Sequence, residues 1–166
     1  MAALRVRLLG PLEVVAGPAV VPLPAAKVRS LLALLAIDAN TSVPTEELLD
    51  RLWSGDPPPT AGSVLRTYVS RLRQALPDGA DRLVRTPDGY RLCLADDELD
   101  STVFTSTITA ATSVGTSPYE TVRLLRSALG LWRGPPLREV ADDPRAMAEA
   151  GRLQAARLSH GTRVVG

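Results

Sequence analysis

The sequence has little of the material from which disulfides, metal centres and membrane spans are built. Among its 166 residues there is one cysteine, Cys93, and one histidine, His160. A single thiol forms no disulfide within the chain, and no carboxylates cluster with these two side chains at the spacing of a zinc site. We therefore expect no metal and no other cofactor.

Long apolar segments are missing as well. No run approaches the length of about 18 apolar residues that a membrane-spanning helix needs. Residues 1–10 lack the apolar core of a signal peptide. These absences predict a cytoplasmic protein with no membrane partner.

Catalytic motifs are also absent. No glycine-rich loop matches a phosphate cradle, and no nucleophile lies in a pattern that would pair it with a base. An enzyme is therefore the least favoured class of function.

Charge of one sign is scarce in the chain as a whole, whose formal net charge is +1. Its distribution, however, is uneven. Residues 63–91 contain six arginines against three aspartates, whereas residues 96–166 contain eight arginines against nine carboxylates. A basic patch on a near-neutral chain is typical of a protein that touches phosphate at one face only. A solvated arginine-rich helix has the same composition, so the patch alone leaves both interpretations open.

Turn residues divide the first part of the chain into short elements. Gly and Pro separate three short apolar segments, which predicts a small antiparallel sheet. Three segments with apolar residues at helical spacing follow, and two strand-like runs then flank a Pro-Asp-Gly turn, which predicts a β-hairpin. Sheet, helices and hairpin in this order indicate a winged helix-turn-helix. The strands are expected at residues 4–9, 12–15, 20–23, 83–86 and 90–94, and the helices at residues 25–40, 45–53 and 61–76.

The third helix has two different faces. Leu65, Val69 and Leu72 form an apolar stripe that predicts the core-facing side. The opposite side carries no carboxylate, although a helix that only needs to be soluble usually carries Glu for pairing with its basic residues. This surface favours insertion into a major groove, with Arg66 as the first choice for a guanine contact. The expected base-reading residues are Ser63, Arg66, Thr67, Ser70 and Gln74.

A second group of residues is expected to bind phosphate and fix the register rather than read bases. For Lys27, which lies at the start of the first long helix, an exposed cation is an equally good interpretation. For Tyr68, a core aromatic with a polar tip is the competing role. The group comprises Lys27, Tyr68, Arg71 and Arg73, together with Arg85 and Arg91 in the hairpin, which are placed to reach the DNA backbone or the minor groove.

The composition then changes. Residues 95–100 are acidic, and residues 101–117 contain six threonines and four serines, which disfavours a helix there because β-branched residues lower helix propensity. Helical patterns return at residues 119–132 and 144–158. We predict a mostly α protein with small antiparallel sheets, in which a winged helix-turn-helix domain with an N-terminal β-sheet covers residues 1–95 and a helical domain covers residues 96–166.

Six ordered motifs stand out: LLGPLEV from Leu8, KVRSLLALL from Lys27, LWSGDPP from Leu52, LRTYVSRLRQAL from Leu65, PDGY from Pro87 and ALGLWRGPPL from Ala128. Together they resemble the Streptomyces antibiotic regulatory protein family. The DNA-binding half of that family is similar to the OmpR/PhoB type of winged helix, and its second half is a bacterial transcriptional activation domain of tetratricopeptide-like helices. The resemblance implies a reading helix at residues 63–74, a wing at residues 85–91 and a firm helix within residues 101–117.

The resemblance also implies a function. It indicates an activator of a biosynthetic gene cluster for an antibiotic or another secondary metabolite. Such a protein binds direct repeats in double-stranded DNA upstream of promoters, with protomers side by side, and contacts the RNA polymerase holoenzyme including its sigma factor. The activation domain of the family is longer than residues 96–166, so we expect only part of it in this chain. Two alternatives stay open: a protein-interaction adaptor, and a DNA binder that lacks an activating surface and competes for operators.

Overall fold

Three short strands open the chain. The computed structural model, which describes residues 3–164, pairs them antiparallel in sequence order. Strand β1 buries Leu4 and Val6 and exposes Arg5, so one face of this sheet covers the core. Gly17, with φ of 58°, forms the turn between β2 and β3. The N-terminal sheet expected from the Gly and Pro punctuation is confirmed. The strands are β1 (Leu4–Arg7), β2 (Glu13–Ala16) and β3 (Ala19–Val20).

Three helices follow and enclose the main core. The first is buried continuously over residues 31–36, because its apolar run packs against several elements at once. The third buries Leu65, Val69 and Leu72 at helical spacing, which is the stripe expected from the sequence. The helices are α1 (Ala26–Ile37), α2 (Thr45–Leu52) and α3 (Ala61–Ala75).

The predicted hairpin forms the wing, and it carries a third strand that the sequence did not indicate. That strand, β4, pairs antiparallel with β6, so the sheet order is β4-β6-β5. A Cβ at Gly89 would lie 1.9 Å from the carbonyl oxygen of Val43, so only glycine fits where the two strands meet. The elements are β4 (Val43–Pro44), a short α4 (Gly79–Arg82), β5 (Leu83–Arg85) and β6 (Gly89–Leu92).

The second half is helical, and its first helix corrects the expectation drawn from composition. A helix does form where β-branched residues disfavoured one, as the resemblance implied. The hydroxyls of Thr105, Thr109 and Thr112 donate to carbonyls four residues back, and Phe104 is fully buried. Tertiary packing therefore outweighs the local propensity. The elements are α5 (Asp100–Ala111), α6 (Pro118–Leu129), a 3₁₀ turn (Arg138–Val140) and α7 (Pro144–Gly161).

The two halves share a core. Leu137, Val140 and Ala146 of the helical half belong to the same buried cluster as the residues of α1 and α3. A smaller cluster, which includes Leu9 and Trp132, also joins the N-terminal sheet to the helices. No helix within residues 3–164 is long and apolar enough to cross a membrane.

Polar contacts hold the same junction. Both carboxylate oxygens of Asp100 accept hydrogen bonds from backbone amides, from Leu8 N at 2.7 Å and from Leu9 N at 3.1 Å. Burial raises the pKa of Asp100, although these amides, which favour the charged form, oppose the shift. The guanidinium of Arg51 in α2 donates through Nε and one NH2 group to both oxygens of Asp143, each at 2.9 Å. The helical half is thus fixed to the sheet and to α2.

Candidate nucleic-acid interface

The outer face of α3 is exposed and free of carboxylates over its whole length. The hydroxyl of Ser63 donates to the carbonyl of Thr60 at 2.9 Å, and that of Thr67 donates to the carbonyl of Ser63 at 3.2 Å. These two side chains therefore present oxygen lone pairs and, for Thr67, a methyl group to the outside. All five predicted base-reading residues lie exposed on this helix: Ser63, Arg66, Thr67, Ser70 and Gln74.

The two exposed arginines of α3 have no partner within the part of the chain that the structure describes. Neither Arg66 nor Arg71 makes an ion pair or a side-chain hydrogen bond to residues 3–164. An unpaired guanidinium keeps all its donors for an external acceptor, and it matches two acceptor atoms of guanine or a phosphate.

Arg73 differs from these two. It is half-buried, and its Nε donates to the carbonyl of Leu83 at 2.8 Å, which ties the end of α3 to the first strand of the wing. A Cβ at Gly79 would lie 2.0 Å from the carbonyl oxygen of Arg73, so the turn after α3 is packed directly against the helix. Arg73 therefore has a structural contact in addition to its expected role at phosphate.

Lys27 already has a partner inside the protein. Its ammonium group donates to the carbonyl of Leu52, the last residue of α2, and lies 5.5 Å from the centroid of the Trp53 ring. The side chain is half-buried. Its charge is therefore already engaged between α1 and α2, and its phosphate contact stays a prediction.

Tyr68 takes the competing role that the sequence analysis left open. It is half-buried and packs against the main core. Its ring stacks on Trp53 with centroids 6.4 Å apart and an interplanar angle of 15°. Its expected phosphate contact stays a prediction. Trp53 was missed by sequence reasoning, since nothing local connects it to residues so distant in the chain.

The wing places its two arginines unequally. Arg85 is exposed, with its guanidinium 5.7 Å from the ring of Tyr90, which is only 4% exposed. Arg91 is half-buried and lies opposite Val84 in the β5–β6 ladder. Successive residues of a strand point to opposite faces, so Arg91 projects away from the core that Tyr90 enters.

The tip of the wing is held by hydrogen bonds. The carboxylate of Asp88 accepts from Ser42 Oγ at 2.9 Å and from Thr86 Oγ1 at 3.1 Å. These hydroxyls lower the pKa of Asp88 below its ordinary value. Ser42 and Thr86 were not among the expected site residues. Their effect is to hold the turn that connects the strands bearing Arg85 and Arg91.

Further features of residues 3–164 lie away from α3 and the wing. A cavity of about 420 Å³ lies between the N-terminal sheet and α5, lined among others by Arg5, Asp97 and Asp100. Cys93 is a free, half-buried thiol. Across residues 3–164, no three His, Cys, Asp or Glu side chains group together as metal ligands would.

Two family models match successive parts of the chain. The model described as transcriptional regulatory protein, C terminal, matches residues 22–92. The model described as bacterial transcriptional activator domain matches residues 99–165. The order of the two matches follows the order of the winged helix and the helical half.

Individual proteins are similar over most of the chain. Transcriptional regulatory protein MoaR1 of Mycobacterium tuberculosis is 35% identical over 142 residues, which is 81% of this chain and 46% of that protein. Transcriptional regulator RedD of Streptomyces coelicolor is 30% identical over 162 residues, which is 93% of this chain and 46% of that protein. The chain spans about half the length of these curated relatives.

A solved structure shares the fold. Mycobacterium tuberculosis EmbR, in complex with a low-affinity phosphopeptide, superimposes with a TM-score of 0.89 and 32% identity. The match covers 98% of this chain and 44% of that protein. The winged helix and the helices that follow it therefore recur together in a known structure.

Proposed function

We propose that this chain is a transcriptional regulator of the Streptomyces antibiotic regulatory protein family, and that it is a sequence-specific DNA-binding activator whose α3 enters the major groove. The observation that carries this proposal is the outer face of α3. That face is exposed, has no carboxylate, and bears two guanidinium groups, those of Arg66 and Arg71, without partners in residues 3–164.

The exposed side chains of α3 fall into a base-reading group and a phosphate-binding group. Arg66, near the middle of the exposed face, reads guanine through a bidentate pair of hydrogen bonds. Thr67 offers a methyl group to a thymine methyl and a lone pair to a donor, while Ser63, Ser70 and Gln74 contact bases directly or through water. Arg71, on the flank of the face, binds phosphate and fixes the register.

The wing supplies a second set of contacts. Arg85 and Arg91 bind the neighbouring backbone or enter the minor groove, and Arg73 adds a phosphate contact with the donors that its bond to Leu83 leaves free. The hydrogen bonds around Asp88 preorganise the wing tip, so little ordering entropy is lost when it meets DNA.

At the level of the whole protein, we propose that residues 1–95 form the DNA-binding unit and residues 96–166 a helical activation unit. Protomers bind direct repeats side by side upstream of promoters of a biosynthetic gene cluster in the cytoplasm. They recruit the RNA polymerase holoenzyme through contacts that include its sigma factor. The junction between the two units supports this arrangement, since its shared core and its buried Arg51–Asp143 hydrogen bonds would transmit the position of α3 on DNA to the helical surface.

A salt titration tests the DNA proposal. The affinity for duplex DNA should fall steeply between low and physiological salt, because each phosphate contact contributes about −0.9 to the slope of log K against log salt concentration. The Arg126→Gln variant, which removes an exposed arginine of α6 away from the proposed interface, is the control. Its slope of log K against log salt concentration should equal that of the wild-type chain. An affinity for DNA that is insensitive to salt would exclude phosphate contacts and favour the adaptor.

Transcription in vitro with purified polymerase tests activation separately. The template carries the DNA site upstream of a promoter, and the expected result is a rise in transcript that disappears when the site is scrambled. Occupancy of the site without stimulation would identify the chain as a competitor for operators rather than an activator.

A further inference from the structure

Three side chains from three helical segments are stacked behind the exposed face of α3. Lys27 comes from the first turn of α1, Trp53 follows the last residue of α2, and Tyr68 lies near the middle of α3. We call this group the Lys27–Trp53–Tyr68 stack. It joins all three helices of the winged helix at one place.

The geometry of the stack is specific at each contact. The Trp53 and Tyr68 rings are nearly parallel, at 15°, with centroids 6.4 Å apart, within the usual range for stacked aromatic pairs. The Lys27 ammonium lies 5.5 Å from the Trp53 centroid, which is within the distance at which a cation is attracted to an indole ring. The same ammonium donates to the carbonyl of Leu52.

The bond to Leu52 places a cation at the C-terminal end of α2. The last carbonyls of a helix have no partner within the helix, and the C-terminal end of its dipole is negative. Leu52 is the last residue of α2, so Lys27 satisfies such a carbonyl and neutralises the helix end at the same time. An apolar side chain at position 27 would leave both without compensation.

We infer that the Lys27–Trp53–Tyr68 stack sets the angle and the roll of α3 relative to α1 and α2, so that these three residues are positioning residues for DNA recognition and not DNA contacts. The inference rests on the proposed function for its consequence at DNA. Tyr68 lies next to Thr67 and two residues after Arg66, so a roll of α3 at Tyr68 displaces the side chains that face the groove.

The test compares Lys27→Met, which keeps most of the stem and removes the charge, with Lys27→Arg, which keeps a donor and a cation. Arg126→Met is the matched control, since it removes an exposed cation from α6. Each variant of the 166-residue chain is titrated with a duplex that the wild-type chain selects from a random-sequence pool, and with an unrelated duplex of the same length. The titrations are repeated at several salt concentrations.

We expect Lys27→Met to weaken binding to the selected duplex by about tenfold, the size expected for loss of a partly buried cation–aromatic contact. Binding to the unrelated duplex and the salt slope should stay as in the wild type, and Lys27→Arg should recover most of the loss. A salt slope that is flatter by about one unit in Lys27→Met would make Lys27 a phosphate contact and overturn the inference.

A second measurement needs no DNA. The backbone amide signals of α3 around Tyr68 should shift in the NMR spectrum of Lys27→Met and of Trp53→Leu, and stay in place in Tyr68→Phe, which keeps the stacked ring. Unchanged α3 signals in the first two variants would overturn the positioning role even if the chain binds DNA. If the wild-type chain binds no DNA, the proposed function fails, and these signals still decide whether the stack positions α3.

Discussion

Arginines at two regions of this molecule have opposite environments. On the outer face of α3, Arg66 and Arg71 have no partner within residues 3–164. At the junction between the halves, Arg51 is only 8% exposed and pairs with Asp143, which is 4% exposed. Arg82 likewise forms two hydrogen bonds with Glu98, at 2.7 and 2.8 Å. The same side chain therefore fixes the fold where carboxylates meet it, and stays available for an outside ligand where they are excluded.

The largest effect should come from breaking the buried pair. Arg51→Ala leaves the carboxylate of Asp143 buried without its main partner, and such a change costs about 3–5 kcal/mol of unfolding free energy. Urea denaturation followed by circular dichroism measures it. The control is Arg123→Ala, which breaks an exposed pair with Glu120 and should leave the unfolding midpoint unchanged. If both variants lost the same free energy of unfolding, the contrast between buried and exposed arginines would be contradicted.

The next effect belongs to the exposed face. Arg66→Ala should leave stability unchanged and reduce discrimination at one base position by about 1–3 kcal/mol, because it removes a bidentate contact to guanine. Binding to a set of duplexes with single-base changes measures this. An unaltered sequence preference would remove Arg66 from the base-reading group.

Arg71→Ala should have a smaller and more uniform effect. Affinity for every duplex should fall alike, and the salt slope should flatten by about one unit, since one phosphate contact is lost. A loss confined to one sequence would instead assign Arg71 to base reading.

The smallest effect concerns pH. Burial works against ionisation of Asp143, but the hydrogen bonds from Arg51 and from the Ala146 amide outweigh it and hold the pKa of this carboxyl below its ordinary value. A group with a depressed folded-state pKa adds stability above its unfolded pKa, about 3.9 for Asp, and that stability is lost as the pH falls through the folded value. The pKa of Asp100 is raised, so the contribution of this group to the unfolding free energy grows as the pH falls. It therefore offsets part of the loss from Asp143.

Urea titrations between pH 3 and pH 6 should therefore show a modest loss of stability at the acid end, reduced in Asp143→Asn. Arginine does not titrate in this interval, so the charge on the outer face of α3 stays constant. If the unfolding free energy of Asp143→Asn fell with pH as steeply as that of the wild type, other carboxylates would account for the acid-side loss of stability.

Local patterns were sufficient for most of the fold. The Gly and Pro turns located the N-terminal sheet and the wing, and helical spacing located α1, α2, α3, α6 and α7 to within a few residues. The exposed face of α3 followed from the same periodicity. These features depend on residues close in sequence, which a single chain displays directly.

What the sequence did not reveal depends on contacts between distant residues. Strand β4 has two residues and exists because it pairs with β6. Helix α5 forms against its β-branched composition because Phe104 is buried beside Trp132. The contact between Lys27 and Leu52 was not foreseen because the two residues lie 25 positions apart. Contacts between residues so far apart in the sequence leave no periodic pattern in it.

The bond between Asp100 and the first sheet has a consequence for biosynthesis. The amides of Leu8 and Leu9 find their acceptor 92 and 91 residues later, and Val6 donates to the carbonyl of Glu98 at 2.7 Å. During synthesis on the ribosome, the backbone amides at this edge of β1 and in the two residues after it therefore have no partner until the start of α5 has emerged. An open edge can pair with another chain, so we expect the nascent protein to be open to such pairing at this edge until residue 100 has appeared.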